Sequence, residues 1–385
     1  MNRKLYGYFD YAAATPMLPK AVEAMIPYLS EEFFNASALY LSAKKNKHAI
    51  EAVRQKIAKG IGAKPLEVIF TAGGTEANNL AIHGVMQKFP DGHMIASTIE
   101  HDSVLAPAQK YNHSIIQVDS SGFVSVEAIK KIIKPTTVLI SVMYANNEIG
   151  TIQPIYEISR FVEEMRKKRK EEGNNYPLYF HTDACQATNY LDLQVSRLGV
   201  DLLSINAGKM YGPKQCGALF VKTGVTISPL LLGGGQELNL RSGTENISAI
   251  VAFGVSWDEV RSNYQQEADR VTQLRNKLID ELLQRIPGCS LNGPKEKKRI
   301  ANNVHITING IDNERLLMEL DESGFMVASG SACNASNDEP SHVLKAIGLN
   351  DEQARSSIRI TIGKYTEYKA MQELVDSIIQ NIPKK

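Results

Sequence analysis

The residues with the clearest capacity for chemistry in this chain of 385 residues are a carboxylate, Asp183, and an amine, Lys209. Each follows a short apolar run, Pro177–Phe180 and Leu202–Ile205, and the turn Ser196-Arg197-Leu198-Gly199 lies between the runs. Apolar run, crossover, apolar run is the pattern of neighbouring parallel strands in an α/β sheet. Ligands of such sheets sit just beyond the carboxyl ends of the strands. A lysine and a carboxylate on adjacent strand ends suit pyridoxal phosphate: the amine forms a Schiff base and the carboxylate keeps the pyridine nitrogen protonated. A surface lysine beside a helix-capping aspartate is the plainer alternative at this point.

Other candidates fall at similar places. Thr71-Ala72-Gly73-Gly74-Thr75-Glu76-Ala77-Asn78-Asn79 joins the apolar run Val68–Phe70 to a helical pattern at Leu80–Lys88. Glycines there would offer backbone N–H groups to a phosphate, or form a simple turn, since the stretch matches neither the Walker pattern nor GxGxxG. His101, Asn146-Asn147-Glu148-Ile149-Gly150 and the glycine-rich Gly233–Asn246, with Thr244, follow further apolar runs. Cys333 lies among small and polar residues, unusual surroundings for a buried cysteine, and an exposed thiol of suitable pKa is reactive.

The elements needed to hold these residues are legible in outline. Apolar spacing of three and four predicts helices over Leu18–Leu29, Ser42–Ile61, Val124–Ile133, a long tract from Ile247 to about Arg285, and Lys369–Ile382. Short strands are expected at Met94–Thr98, Ser114–Val118, Val138–Ser141 and Gly217–Val221, and alternation with helices argues a mainly parallel sheet covered on both faces. From Asn303 onward strands and helices mix in a second unit. The charged run Glu163–Glu172 alternates in sign and describes a solvated helix face. A net charge of +1, with 43% hydrophobic and 22% charged residues, gives no electrostatic reason to expect nucleic acid or an anionic membrane. No apolar run is long enough for a bilayer, and Met1-Asn2-Arg3-Lys4 leads into no signal-peptide core. The four cysteines, at 185, 216, 289 and 333, show no metal-ligand spacing and are too few for a disulfide framework. A reducing, cytoplasmic setting is expected, with Cys185 and Cys216 as packing residues.

Taken together, Phe9–Pro16, Thr71–Asn79, Glu100-His101, Asn146–Gly150, Asp183-Ala184-Cys185-Gln186-Ala187, Lys209-Met210-Tyr211-Gly212-Pro213-Lys214, Gly233–Asn246 and Ser329–Cys333 resemble one family, in order, over nearly the whole chain. They are similar to cysteine desulfurases of the NifS/IscS type, among the fold-type I pyridoxal-phosphate enzymes. The resemblance implies a large cofactor domain over 16–255 with a mainly parallel seven-stranded sheet. It implies a smaller α/β domain from 1–15 and 256–385 carrying the cysteine loop. Lys209 would bear the Schiff base and move protons. Asp183 would meet the pyridine nitrogen, Gln186 the phenolic oxygen and His101 the ring face, and either His101 or the substrate would accept the proton of Cys333. Gly74, Thr75 and Asn206 would hold the phosphate, with Thr244 supplied by the neighbouring subunit of a homodimer. Asn147, Arg359 and Asn35 would bind substrate. Cys333 would take sulfur from L-cysteine as a persulfide, release L-alanine, and pass the sulfur to an acceptor protein, an iron–sulfur scaffold or a thiolation carrier. A selenocysteine lyase, an aminotransferase of the same fold, or a binding protein without cofactor are the rival expectations. The chain departs from the family pattern at three places: Asn206-Ala207-Gly208-Lys209 replaces Ser-x-His-Lys, Tyr40 replaces a histidine, and Leu238 replaces an arginine.

Overall fold

A computed structural model describes residues 3–330 and 340–382 of the chain. The chain opens with four helices, α1 (Arg3–Tyr6), α2 (Pro19–Met25), α3 (Pro27–Ser30) and α4 (Leu41–Ile61). The buried stripe of α4, Ile50, Val53, Ile57 and Ile61, recurs every three or four residues and faces the main core. The single helix expected over Leu18–Leu29 is two, because Pro27 has no N–H to continue α2 and instead occupies the first turn of α3.

Strands and helices then alternate: β1 (Val68–Thr71), α5 (Gly74–Lys88), β2 (His93–Ser97), α6 (Asp102–Ala108), β3 (His113–Ile116), α7 (Val126–Ile132), β4 (Thr137–Ser141), α8 (Ile155–Glu171), β5 (Tyr179–Asp183), α9 (Val195–Leu198), β6 (Leu202–Asn206) and β7 (Gly217–Val221). These strands form a seven-stranded sheet in the order β1-β7-β6-β5-β4-β2-β3. β7 runs antiparallel to both of its neighbours, and the remaining pairs are parallel. All residues of β1, β2, β4 and β7 are buried, as strands covered on both faces must be. Ile57, Phe161 and Phe253 build the core on one side, and Leu80, Val85 and Val104 build it on the other.

The rest comprises α10 (Ile247–Arg261), α11 (Tyr264–Arg285), β8 (Cys289–Leu291), β9 (Asn303–Ile308), α12 (Asn313–Glu322), α13 (His342–Ala346), α14 (Asp351–Arg355), β10 (Ser357–Thr361) and α15 (Tyr368–Asn381). The helical tract expected from Ile247 to Arg285 breaks at Ser262-Asn263, where Asn263 leaves helical geometry (φ −131°, ψ 24°). β10, β9 and β8 form a second, antiparallel sheet with its own core of Leu278, Val304, Ile306, Ile360 and Leu374. Phe9 belongs to this core, and the segment around it bridges to Met326 and Thr361. The same segment continues to Ala12 and Ala13 in the wall of the principal cavity. Among the described residues no helix is long and apolar enough to cross a membrane, and no group of three or more His, Cys, Asp or Glu could hold a metal ion.

Candidate active site

The carboxyl ends of β5 and β6 bring the two residues of greatest chemical interest to one cavity of about 220 Å³. Asp183 ends β5 and is buried. Its Oδ1 accepts from the Cys185 N–H (2.9 Å) and its Oδ2 from Asn78 Nδ2 (2.7 Å). Two donors on one carboxylate fix its plane, so its position is set before any ligand arrives. Lys209 closes the short turn after β6, and its Nζ donates to the carbonyls of Ala12 (2.8 Å) and Ala13 (2.5 Å). Its own carbonyl accepts from Asn189 Nδ2 (2.7 Å), and the preceding carbonyl, of Gly208, accepts from Thr15 Oγ1 (3.0 Å). The lysine main chain is thus clamped on both sides, while the amine faces the cavity.

Opposite these residues α5 begins. The helix starts at Gly74, six residues before the expected Leu80, so Gly74 and Thr75 lie in its first turn, where N–H groups have no intrahelical acceptor. Gly73 before it adopts φ 117°, a conformation that a side chain resists. A Cβ on Gly74 would stand 2.6 Å from Cys185 Sγ and 3.4 Å from Asn206 Nδ2. Asn206 Oδ1 accepts from the Gly208 N–H (3.0 Å), which leaves the amide NH₂ as the group directed to the helix start. A helix N-terminus, an amide donor and a glycine floor make an anion cradle. These residues fit pyridoxal phosphate. The phosphate suits the α5 terminus, the ring nitrogen suits Asp183, and Asn78, which lines the cavity, adds a polar residue to its wall.

His101 caps α6. Its Nδ1 accepts from the Ser103 N–H (3.0 Å), so the neutral ring carries its proton on Nε2. Gln186 Nε2 donates to the Ala12 carbonyl (3.0 Å), beside the lysine's own contact. Arg359 reaches the cavity from β10, 1% exposed. It donates to Asp10 Oδ1 (2.7 Å) and to the Asn147 carbonyl (3.1 Å), and its Nε has no partner among the described residues. The cavity therefore brings together Gly74, Thr75, His101, Asn147, Asp183, Gln186, Asn206, Lys209 and Arg359. Two expected site residues lie elsewhere. Asn35 is turned into its own loop, accepting from the Ser37 N–H (2.9 Å), because a short amide beside a turn bonds its nearest backbone first. Thr244 lines a separate cleft with Arg241 and Gln215. Cys333 lies outside the described residues. The other three cysteines are free thiols. Burial pushes all three up: Cys185, with Asp183 beside it, well above the usual thiol range, Cys216 to about 12 and Cys289 to about 11.

Asn78, Ser103, Asn189 and the Ala12 and Ala13 carbonyls are site components that sequence patterns did not single out. Asn78 had one available signal: it lies one helical turn after Thr75, so that both face the same side of α5. Glu100, beside His101, is fully buried. Its Oε1 accepts from Ser97 Oγ (2.5 Å) and the Met143 N–H (2.8 Å), and burial raises its pKa to about 8.

Comparison with known proteins points to one family. Residues 7–374 match the model of the aminotransferase class-V family. The cysteine desulfurase IscS of Dictyoglomus turgidum is 43% identical over 391 residues, covering 100% of this chain and 96% of that one. That of Methanosarcina thermophila is 41% identical, covering 98% and 91%. A solved NifS-like protein superposes with a TM-score of 0.88 at 29% identity, covering 97% of this chain and 98% of that one. A structure of SspA in complex with cysteine superposes with a TM-score of 0.81 at 34% identity, covering 94% and 100%. The fold is accordingly that of the fold-type I pyridoxal-phosphate enzymes, and the chain belongs to the aminotransferase class-V family, among its cysteine desulfurases.

Proposed function

We propose that the protein uses pyridoxal phosphate to take sulfur from L-cysteine, releasing L-alanine and passing the sulfur through Cys333 to an acceptor protein. The observation that carries this reading is one cavity holding the clamped Lys209, the doubly hydrogen-bonded Asp183 and an arginine, Arg359. Bound pyridoxal phosphate supplies an electron sink for charge at the substrate α-carbon. Asp183 holds the ring nitrogen, His101 covers the ring face, Gln186 meets the phenolic oxygen, and Gly74, Thr75 and Asn206 hold the phosphate. Arg359 and Asn147 orient the substrate carboxylate, a task suited to a guanidinium fork. Lys209 Nζ moves the proton at the α-carbon. The Cys333 thiolate attacks the substrate sulfur: an S–S bond forms, the Cβ–Sγ bond breaks, and its electron pair stays with the carbon fragment, which is protonated to alanine. Gly330 stands beside Glu148, next to the cavity residue Asn147, and three residues of chain from Gly330 to Cys333 span at most about 10 Å. The described thiols, all raised by burial, are poor nucleophiles by comparison, and their free state suits a reducing cytoplasm.

Sulfide and alanine should appear from L-cysteine and a reductant with no keto acid present. Cys333→Ala should abolish both products while the visible absorption of the bound cofactor persists, and Lys209→Ala should remove that absorption. Undiminished turnover in Cys333→Ala would refute the sulfur-transfer role. We further propose a homodimer in which Thr244 of each subunit completes the other's phosphate site. Leu39 (87% exposed), Leu41 (77%), Leu66 (72%) and Leu232 (85%) are apolar surface that a second subunit would cover. Sedimentation should give about twice the chain mass for the native protein and a lighter species for Leu39→Asp/Leu41→Asp; a native monomer would end this part of the reading.

A further inference from the structure

A second cavity, of about 320 Å³, is lined by Asn189, whose Nδ2 donates to the Lys209 carbonyl (2.7 Å), and by Tyr211. Asn189 and Tyr211 form the wall nearest the lysine, and α10, α11 and the segment after β10 close the other sides. Two acid–base pairs line it: Glu267 with Arg270 (2.7 Å) and Glu259 with Lys364 (3.0 Å). Their formal charges cancel, so an anion or a cation would bring an uncompensated charge, whereas a zwitterion would not. Asn189 is 8% exposed, and its Oδ1 has no hydrogen-bond partner among the described residues. The volume suits a small molecule held by a few polar groups.

We propose that this cavity is a second small-molecule site that takes the zwitterion of a small α-amino acid. The ammonium faces the two carboxylates, and the amino acid's carboxylate faces Arg270 and Lys364. The occupant also touches the lysine's support. Asn189 Nδ2 carries the hydrogen bond to the Lys209 carbonyl, and Tyr211, two residues after Lys209, sits at φ 60°, a strained conformation for an aromatic residue. Only the choice of probe, the proposed product L-alanine, rests on the desulfurase reading.

The test is equilibrium dialysis of labelled L-alanine against holoenzyme treated with borohydride. That treatment makes the bond between Lys209 and the cofactor permanent and leaves no exchange for an incoming amine. Saturable binding of one L-alanine per chain is expected. Gln266→Trp, which fills the exposed rim of the cavity, should weaken it at least tenfold, with the melting temperature showing an intact fold. L-Lactate and ethylamine, each lacking one of the two charges, should compete at least tenfold less well than L-alanine. Absence of saturable binding, equal binding by Gln266→Trp, or equal competition by L-lactate would overturn the proposal. Failure of the desulfurase reading would show instead as missing turnover of L-cysteine, which dialysis does not measure.

Discussion

At the scale of single residues, the floor of the phosphate cradle is the tightest fit in the site. A methyl at position 74 would meet Cys185 Sγ at 2.6 Å, closer than the two atoms can approach. Gly74→Ala should therefore weaken cofactor binding about ten- to a hundredfold, the effect of roughly 1–3 kcal/mol of overpacking. Adding Cys185→Ala should recover most of the loss; a spectroscopic titration in which the double variant binds no better than Gly74→Ala would contradict this account. The same locality explains which residues were legible in the sequence. Asp183 and Lys209 stood out because each follows its own apolar run, and Gly73-Gly74 because glycine doublets punctuate strand–helix turns. Asn78 and Asn189 did not, since each matters through a partner more than 15 residues away in the chain, Asp183 and Lys209 respectively. Asn35 shows the converse: a motif position whose side chain is satisfied locally. Asn206 stands where the resemblance expects a serine, and its Oδ1 caps the turn before Lys209 by accepting from the Gly208 N–H.

At the scale of elements, the glycine-rich segment after β7 depends on a buried ion pair. Glu237, Leu238 and Asn239 all adopt left-handed φ values (45°, 60° and 64°), a conformation costing roughly 1–2 kcal/mol per residue. What holds them is Arg54 of α4, whose guanidinium grips both Glu237 oxygens (2.7 and 2.8 Å) while the Phe70 N–H of β1 donates to one of them (2.7 Å). Arg54→Met strands a buried carboxylate and should cost about 3–5 kcal/mol. Arg54→Met/Glu237→Gln should melt at a higher temperature than Arg54→Met alone, and the reverse order would show that the pair is not what secures the turn. Periodicity predicted most of the elements, but their ends were set by individual atoms: Pro27 divides one expected helix, Asn263 divides another, and α5 starts at Gly74 because the positive φ of Gly73 lets the strand turn at once.

For the molecule as a whole, stability should fall on both sides of weakly acidic pH. Glu100, raised to about 8 in the fold from 4.5, binds its proton more tightly when folded, so its contribution is present at low pH and is lost as pH rises through that interval. His181 and His305 are lowered by burial from 6.5 to about 4 and about 3, so theirs is full above 6.5 and is lost as pH falls towards those values. Glu100→Gln keeps the accepting oxygen and removes the proton, so the fall in melting temperature that the native protein shows between pH 7 and 8, above the range of the histidines, should be lost; an unchanged fall would show that Glu100 does not dominate there. The class of the main sheet was visible in the alternation of apolar runs, but a partnership between the chain's start and the second sheet was implied only by the resemblance, which groups 1–15 with 256–385, because no local pattern announces a pairing 318 positions apart, as between Tyr8 and Met326. That partnership works as a ruler. Asp10 is fixed to Arg359 and Thr15 to Gly208, with the two carbonyls that hold Lys209 between them. One residue more or fewer would displace an end by about 3.5 Å, beyond the tolerance of any hydrogen bond. Asp10 and Thr15 hold by their side chains, and Ala12 and Ala13 by their carbonyls, so the length between the anchors is as fixed as the anchors themselves.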